Sequence, residues 1–550
     1  MELFDIYIIA EVVILSAALW FVTGYAEKVV TQKWRMLYFL PFLLCIFLTA
    51  GVGFEISMLG AYIAAALPLA GFLRDSKKVR RISCIAACAL SLTALPVCLL
   101  NGNYRAFDYT KDFETGFSAM QNRYALSDYK EVEWDALYRE YRPKFAAARD
   151  DIDAYIAWSE FCAEFHDGHV GYVPETKTEE EEDAFKESVF KRLGASDYGL
   201  CLLTDSEGRA AAVNVDESLS SLGIRNGTII TAWDGKDVFE AAKESPLFRI
   251  LNFPDKDNEL FYLPACAAGF GGESVTVSFL DESGKERSAQ LPILGDYYAR
   301  FKSALETVKQ GYPAANFGWE ELNDSTVLLR IKLMSFDKNS SRTEDYSEMK
   351  RQLISVCEEQ IASGKTNLVI DLRGNGGGSG QLVKALGEIF APVGTHFYCC
   401  DGVWDSKEMR YLYDEESGTY PTSVENTFVG EDCWRGNRIV VLVNSDSVSA
   451  ADHLNMILQG KENITIMGFT ESNGSAQGVG SMGLTRGILS FSGSLVLNRD
   501  GTPFVDAGTD RESGNDIDVR VPLDEAAITA LYDRGEDYLL DKAVEYLSKR

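Results

Sequence analysis

Histidine is scarce in this chain: its 550 residues include only four, His166, His169, His396 and His453. Any imidazole acting as a base near neutral pH must be one of them. The eleven cysteines contain no CxxC pair. Seven follow residue 101 (Cys162, Cys201, Cys266, Cys357, Cys399, Cys400 and Cys433), an odd number without a disulfide framework or a zinc-site spacing. They read as small buried hydrophobes. Basic residues are also few, with 53 Lys and Arg against 82 Asp and Glu, a net charge of −29. Residues 102–550 alone carry −31. Such a surface repels phosphate backbones, which argues against a nucleic-acid partner.

Long apolar runs are missing after residue 101, but four crowd the region before it: Ile6 to Ala26, Met36 to Gly53, Met58 to Leu73 and Ile82 to Leu100. Each approaches the ~20 residues that cross a bilayer as a helix. A cleaved signal peptide would explain one run and leave three. Lys28, Lys33 and Arg35 fill the first link, and Arg74, Lys77, Lys78, Arg80 and Arg81 the third. The positive-inside rule places both links in the cytoplasm. Everything after about Asn101 is then expected outside it, with residues 1–101 as a four-helix anchor in the cell membrane.

At 550 residues the chain exceeds what one core usually organises. Residues 102–195 read as a helical lead-in, "VEWDALYREYRPKFAAARDDIDAYIAWSEFCAEFHDGHVGY", ending at an Asp-Gly-His motif. The acidic stretch Glu175 to Glu187 reads as a solvated linker. Residues 196–295 change to short strands with turn signals: two strands in "YGLCLLTDSEGRAAAVNV", a buried strand before the Asp234-Gly235 turn, and a hairpin in "ESVTVSFLDESGKERSAQLPI". From Thr326 strands and helices alternate, which predicts an α/β core with parallel strands across residues 296–550.

Three strand-to-turn junctions carry chemistry. In "VIDLRGNGGGSGQ" a buried strand runs into Gly374, Gly376, Gly377 and Gly378 before a helix. Backbone N–H groups there can approach a ligand without Cβ obstruction, near a positive helix end, to bind phosphate or an oxyanion. Neither a Walker lysine nor a dinucleotide spacing is present. In "VVLVNSDSVSAADHLNMILQ" Ser449 sits between a buried strand and a helix, with the Ala450 amide beside it. Taken alone it reads as a helix N-cap. The third junction is "FHDGHVGY", with His166 and His169.

Together these pieces resemble the serine peptidases of the C-terminal processing peptidase and tricorn-core family, in the family's order and over roughly residues 107–550. The resemblance also rests on a PDZ-like segment ("GIRNGTII" then "DGKDV"), on "IDLRGNGGG" and on the C-terminal "GNDIDVRVP". It implies a crotonase-like α/β catalytic core behind a PDZ-like β-rich domain with an insertion at Pro246 to Gly271. The nucleophile is implied to be Ser449, in Ser449-Ala450-Ala451-Asp452 where the family has Ser-Ala-Ser-Glu. The processing branch has a lysine base 25 positions later; here that position is Gly474. The tricorn-like branch uses the histidine of Asp-Gly-His, which maps onto His169, and a glutamate for which Glu512 in "DRESGNDIDV" is the nearest match. The amides of Gly376 or Gly377 and of Ala450 would bind the oxyanion. Tyr198, Gly199 and Leu200 match the loop with which PDZ domains hold a peptide carboxylate. The implied partner is a protein or peptide substrate, and no metal or organic cofactor is required. The departures at Ala451, Asp452 and Gly474 leave an alternative: a weak or inactive protein binding peptides or an apolar ligand on the same fold.

Overall fold

In the computed structural model, described for residues 108–310, 317–335, 346–504 and 515–549, the chain begins with a helical bundle. Its helices are α1 (Tyr109–Arg123), α2 (Trp134–Ala147) and α3 (Asp151–Ala163). Phe113, Phe145, Trp158 and Phe161 meet at their centre, with Phe113 stacked on Phe145 at 4.6 Å between ring centroids. Aromatic side chains bury large apolar areas, so this small bundle closes on few residues. The four apolar runs read as membrane spans lie outside the described residues, and among those no helix is long and apolar enough to cross a membrane.

Strand β1 (Gly171–Pro174) follows the Asp-Gly-His motif, and then comes α4 (Glu179–Leu193). This helix replaces much of the linker expected at Glu175 to Glu187. Thr178 caps it, its side chain accepting from the Glu181 amide, and Glu179 to Glu182 fill its first turn. Lys191 and Arg192 lie in the last turn, before Gly194 at φ +85°. Acidic residues at the start and basic ones at the end complement the helix dipole, so the charge run is a helix signal.

The β-rich segment holds β2 (Cys201–Thr204), β3 (Ala210–Val213), β4 (Ile229–Trp233), β5 (Lys236–Asp237), α5 (Val238–Glu244), α6 (Lys256–Tyr262), β6 (Ser274–Leu280) and β7 (Glu286–Pro292). The sheet order is β2-β3-β4-β6-β7, with each neighbouring pair antiparallel. Helix α7 (Tyr297–Lys309) leads out of it.

The α/β core comprises β8 (Phe317–Glu321), β9 (Thr326–Ile331), α8 (Tyr346–Ala362), β10 (Asn367–Asp371), α9 (Gly380–Phe390), β11 (Gly394–Gly402), the small pair β12 (Trp404–Asp405) and β13 (Arg410–Tyr411), β14 (Thr422–Gly430) and β15 (Arg438–Leu442). It continues with α10 (Ala450–Leu458), β16 (Ile464–Gly468), β17 (Gly478–Gly483), β18 (Gly487–Ser494), β19 (Val496–Leu497), β20 (Val519–Arg520), α11 (Glu525–Ile528) and α12 (Tyr538–Ser548). The central sheet runs β20-β16-β15-β10-β9-β8; all its pairs are parallel except β8 with β9. Both faces are covered, as continuous apolar strands require. Leu368 and Ile370 join a core with helices α8, α9 and α10. Val369 and Val440 face the other way, into a core shared with α12 and with Leu202 and Leu203 of the β-rich segment.

Two smaller sheets frame the site. Strands β14-β11-β19 form one; β1-β18-β17 form the other, pairing Gly171 of the Asp-Gly-His region with Ser490 across the chain.

Candidate active site

Ligands in open parallel sheets bind beyond the carboxyl ends of the strands. Strands β9, β10, β15 and β16 end there in the segments that hold Met334, Gly374 to Gly378, Ser449 and Gly474. Buried amides bind these turns together. Asn375 donates from Nδ2 to Ile331 O (2.8 Å) and accepts the Gly377 amide on Oδ1 (2.9 Å), while its carbonyl accepts the Val448 amide (2.9 Å). Ser447 Oγ donates to Leu372 O at 2.9 Å, and Asn444 Oδ1 accepts the Gly374 amide at 3.1 Å. Neither Asn375 nor Asn444 stood out in the sequence. Asn375 lies inside the glycine run, where a buried amide side chain stitching a turn is the available signal.

Ser449 occupies the N-cap of α10 at φ +63°, ψ −113°. A non-glycine residue there is strained, and such strain gathers at functional turns. The surroundings hold it: the Ser449 amide donates to Asp452 Oδ2 at 3.0 Å. Gly377, itself at φ +88°, comes so close that a Cβ on it would sit 2.7 Å from both Ser449 Cβ and Val448 O. Gly377→Ala should therefore push the nucleophile turn out of place. A displacement of about 1 Å near reacting groups costs about 100-fold in rate. We expect that loss in kcat, measured beside the same change at exposed Gly272, where a Cβ meets only Ser274 O at 3.8 Å.

The oxyanion candidates separate. The Gly377 amide is already used by Asn375 Oδ1, which removes it as a donor in this arrangement. Among the described residues, no hydrogen bond is given by the amides of Gly376 or Ala450.

His169 is 6% exposed, and among the described residues neither ring nitrogen has a hydrogen-bond partner. Burial holds its imidazole below the usual histidine value, with the Asp167 carboxylate opposing that shift. The ring is therefore neutral near pH 7 and keeps one nitrogen able to accept a proton. Its turn is held from four sides. Asp167 Oδ1 accepts the His169 amide (2.8 Å), Tyr124 donates to Asp167 Oδ2 (3.0 Å), Ser475 Oγ accepts the Gly168 amide (2.8 Å), and Asn252 of the insertion donates to Asp167 O (2.7 Å) and Val170 O (3.0 Å). His169 and Ser449 are not hydrogen-bonded to each other. One loop, 472–475, is bonded both to the His169 turn and to Asp452, which holds the Ser449 amide.

Two other histidines have structural partners. His396 Nε2 lies 2.7 Å from Pro392 O. His453 lies under Tyr398, ring centroids 4.4 Å apart, with Nε2 3.1 Å from Tyr398 O, and burial lowers its pKa to about 4. It is a core residue, 6% exposed. Glu512 lies outside the described residues.

The loop matched to peptide-carboxylate binding is filled from within. Gly199 donates its amide to Asp197 Oδ1 at 2.8 Å, and that carboxylate is also bonded by Arg300 Nε at 2.6 Å. The side chains of Tyr198 and Leu200 are fully buried. Strand β2, where a peptide strand would add, is buried along its whole length and overlain by α6. The Gly199 amide is thus occupied within the fold, and α6 of the insertion packs on β2.

All seven described cysteines are free, and six are buried. The acidic side chains of Asp255, Asp257 and Glu471 approach one another closely, but Arg520 Nη1 already lies 2.9 Å from Asp257 Oδ1.

Residues 328–512 match the sequence profile of Peptidase family S41, and residues 106–155 match that of the tricorn protease C1 domain. No curated protein matches. Among solved structures the chain is similar to mature CPAF at 15% identity, over 80% of this chain and 96% of that one, with a TM-score of 0.49. It is also similar to the photosystem II D1 C-terminal processing protease at 15% identity, over 78% of this chain and 98% of that one, TM-score 0.32. A third similarity, to the tricorn protease, has 16% identity over 80% of this chain and 36% of that one, TM-score 0.35. Residues 328–512 thus match a peptidase family within a mixed α/β fold, and the protein is a serine peptidase.

Proposed function

We propose that the protein is an endopeptidase that cleaves protein or peptide substrates through an acyl-enzyme on Ser449, with His169 as general base. The observation that carries this reading is the buried, neutral His169 ring, without a partner among the described residues, on a turn bonded to the loop that also grips the nucleophile's helix. An unsatisfied buried polar group is costly, and its retention points to a task. Substrate entering between the glycine loop and α10 would place its carbonyl carbon at Ser449 Oγ and its oxygen at the amides of Gly376 and Ala450. His169 takes the hydroxyl proton as Oγ attacks, then delivers it to the leaving amine; water repeats the sequence and releases the acid. Glu512 is the proposed third member, orienting the imidazole.

Location belongs to the same proposal: charge asymmetry around four apolar runs favours a membrane anchor in residues 1–101 with the peptidase domain outside the cytoplasm. The β-rich segment then acts as support, since its carboxylate loop is internally satisfied.

The test is a fluorophosphonate probe applied to the full chain, with the labelled residue found by mass spectrometry. Labelling is expected at Ser449 and lost in Ser449→Ala. Labelling that persists in Ser449→Ala overturns the assignment.

A further inference from the structure

Asp452 is fully buried, and its carboxylate accepts three backbone amides: Ser449 N on Oδ2 (3.0 Å), Gly474 N on Oδ1 (3.1 Å) and Ser475 N on Oδ2 (3.2 Å). Ser475, also fully buried, accepts the Gly168 amide on Oγ (2.8 Å), one residue from His169. A continuous path therefore runs from the strained Ser449 turn through Asp452 and Ser475 to the histidine turn. Asn515 braces it, donating from Nδ2 to Asp452 O (2.8 Å) and from its amide to Ser472 Oγ (3.3 Å).

We propose that Asp452 and Ser475 form a positioning bridge that holds the nucleophile turn and the histidine turn in register, so that the pair works only while the Asp452 carboxylate is ionised. The proposal rests on Ser449 and His169 being nucleophile and base. The chemistry of the donors sets the requirement. Each Asp452 oxygen faces N–H donors, and a proton on either oxygen, or an amide NH2 in its place, would set donor against donor. The groups facing the carboxylate are neutral: the amides of Ser449, Gly474 and Ser475, and the Ser472 hydroxyl. The neighbouring His453 turns its Nε2 to Tyr398 O instead.

Burial pushes the Asp452 carboxyl up to about 7, the Ser472 hydroxyl and the amides opposing it. The His169 imidazole is shifted down from its usual value, so it stays neutral until the medium is more acidic. As pH falls through about 7, Asp452 takes up a proton before His169 does. The acid limb of activity then belongs to Asp452 rather than to the base.

The test follows the rate of Ser449 labelling by the fluorophosphonate probe from pH 5 to 9 in the full chain, for parent, Asp452→Asn, Ser475→Ala, Ser449→Ala and His169→Ala. Parent labelling should fall as pH drops through about 7. Asp452→Asn should be slower by about 100-fold at pH 8, the scale of a misplaced catalytic group, and its remaining acid limb should move below the usual histidine value. Ser475→Ala should be slower by roughly 10-fold, from loss of one positioning hydrogen bond, with the limb kept near pH 7. Ser475→Ala removes a single hydroxyl, so it decides the matter if Asp452→Asn fails to fold: labelling as fast as the parent overturns the bridge. So does an Asp452→Asn profile that keeps the parent's limb. If His169→Ala labels like the parent, the underlying assignment of the base has failed; if only the bridge variants behave like the parent, the bridge alone has.

Discussion

His169→Ala and Ser449→Ala are each expected to lower kcat on unfolded protein by about 10⁴- to 10⁶-fold, and the double variant should be no slower than the slower single one. The reason is chemical interdependence. At neutral pH a serine hydroxyl is a weak nucleophile, so Ser449 gains nothing from its placement unless a base takes its proton during attack. His169 in turn has no other proton to move. Removing either group leaves the same residue of catalysis, supplied by the amides of Gly376 and Ala450 and by substrate binding. Counting new peptide termini by mass spectrometry measures this. Additive losses, with the double variant slower by the product of the two factors, would mean that the residues act in separate steps. A normal rate in His169→Ala would reassign the base, and with His396 and His453 held by carbonyls the search would turn to His166 or to a non-histidine group.

Much of this site was legible because its chemistry is written in short local patterns. The strand-glycine and strand-serine junctions follow from a buried apolar run meeting residues that tolerate or enforce a turn, and β10, β15, α9 and α10 form where the pattern puts them. The hairpin β6–β7 and the Asp234-Gly235 turn, at φ +47° and +76°, were equally local. Long-range partners were not. Nothing near Gly168 announces Ser475, about 300 residues away, and nothing near β1 announces its pairing with β18. The PDZ-like pattern was legible as strands, but the packing of α6 on β2 was not, because that helix enters the sequence some fifty residues after the strand. The acidic stretch misled for a different reason: net charge suggested solvent, whereas the position of each charge along α4 suits the helix dipole.

Arg373 shows the same limit and gives the largest expected effect on stability. In the sequence it only closes a strand. In the fold it is 1% exposed and holds two carboxylates: Nε and Nη2 each donate to Asp371 at 2.8 Å, and Nη1 and Nη2 donate to Asp537 at 2.7 and 2.8 Å. Asp537 caps α12, accepting the Leu540 amide at 3.1 Å, so one guanidinium ties the glycine loop to the C-terminal helix. Burial alone would lower its pKa, yet the Asp371 and Asp537 charges more than offset that, and it stays charged. Arg373→Met should cost about 3 kcal/mol, because it leaves the half-buried Asp537 without its cation and the buried Asp371 with Arg330 alone, at 2.9 Å. Arg373→Lys should recover only part of this, since an ammonium cannot make the forked contacts. For Asp537, burial acts upward, but the Arg373 contacts outweigh it and hold the folded pKa below the usual carboxylate value. Its contribution is therefore complete above about pH 4 and is lost as pH falls through the lowered value. Urea unfolding of parent and Arg373→Met at pH 7 and at pH 3 checks both parts: the gap between them should narrow at the lower pH. A gap below 1 kcal/mol at pH 7 would mean that the network gives the glycine loop its position without holding up the fold.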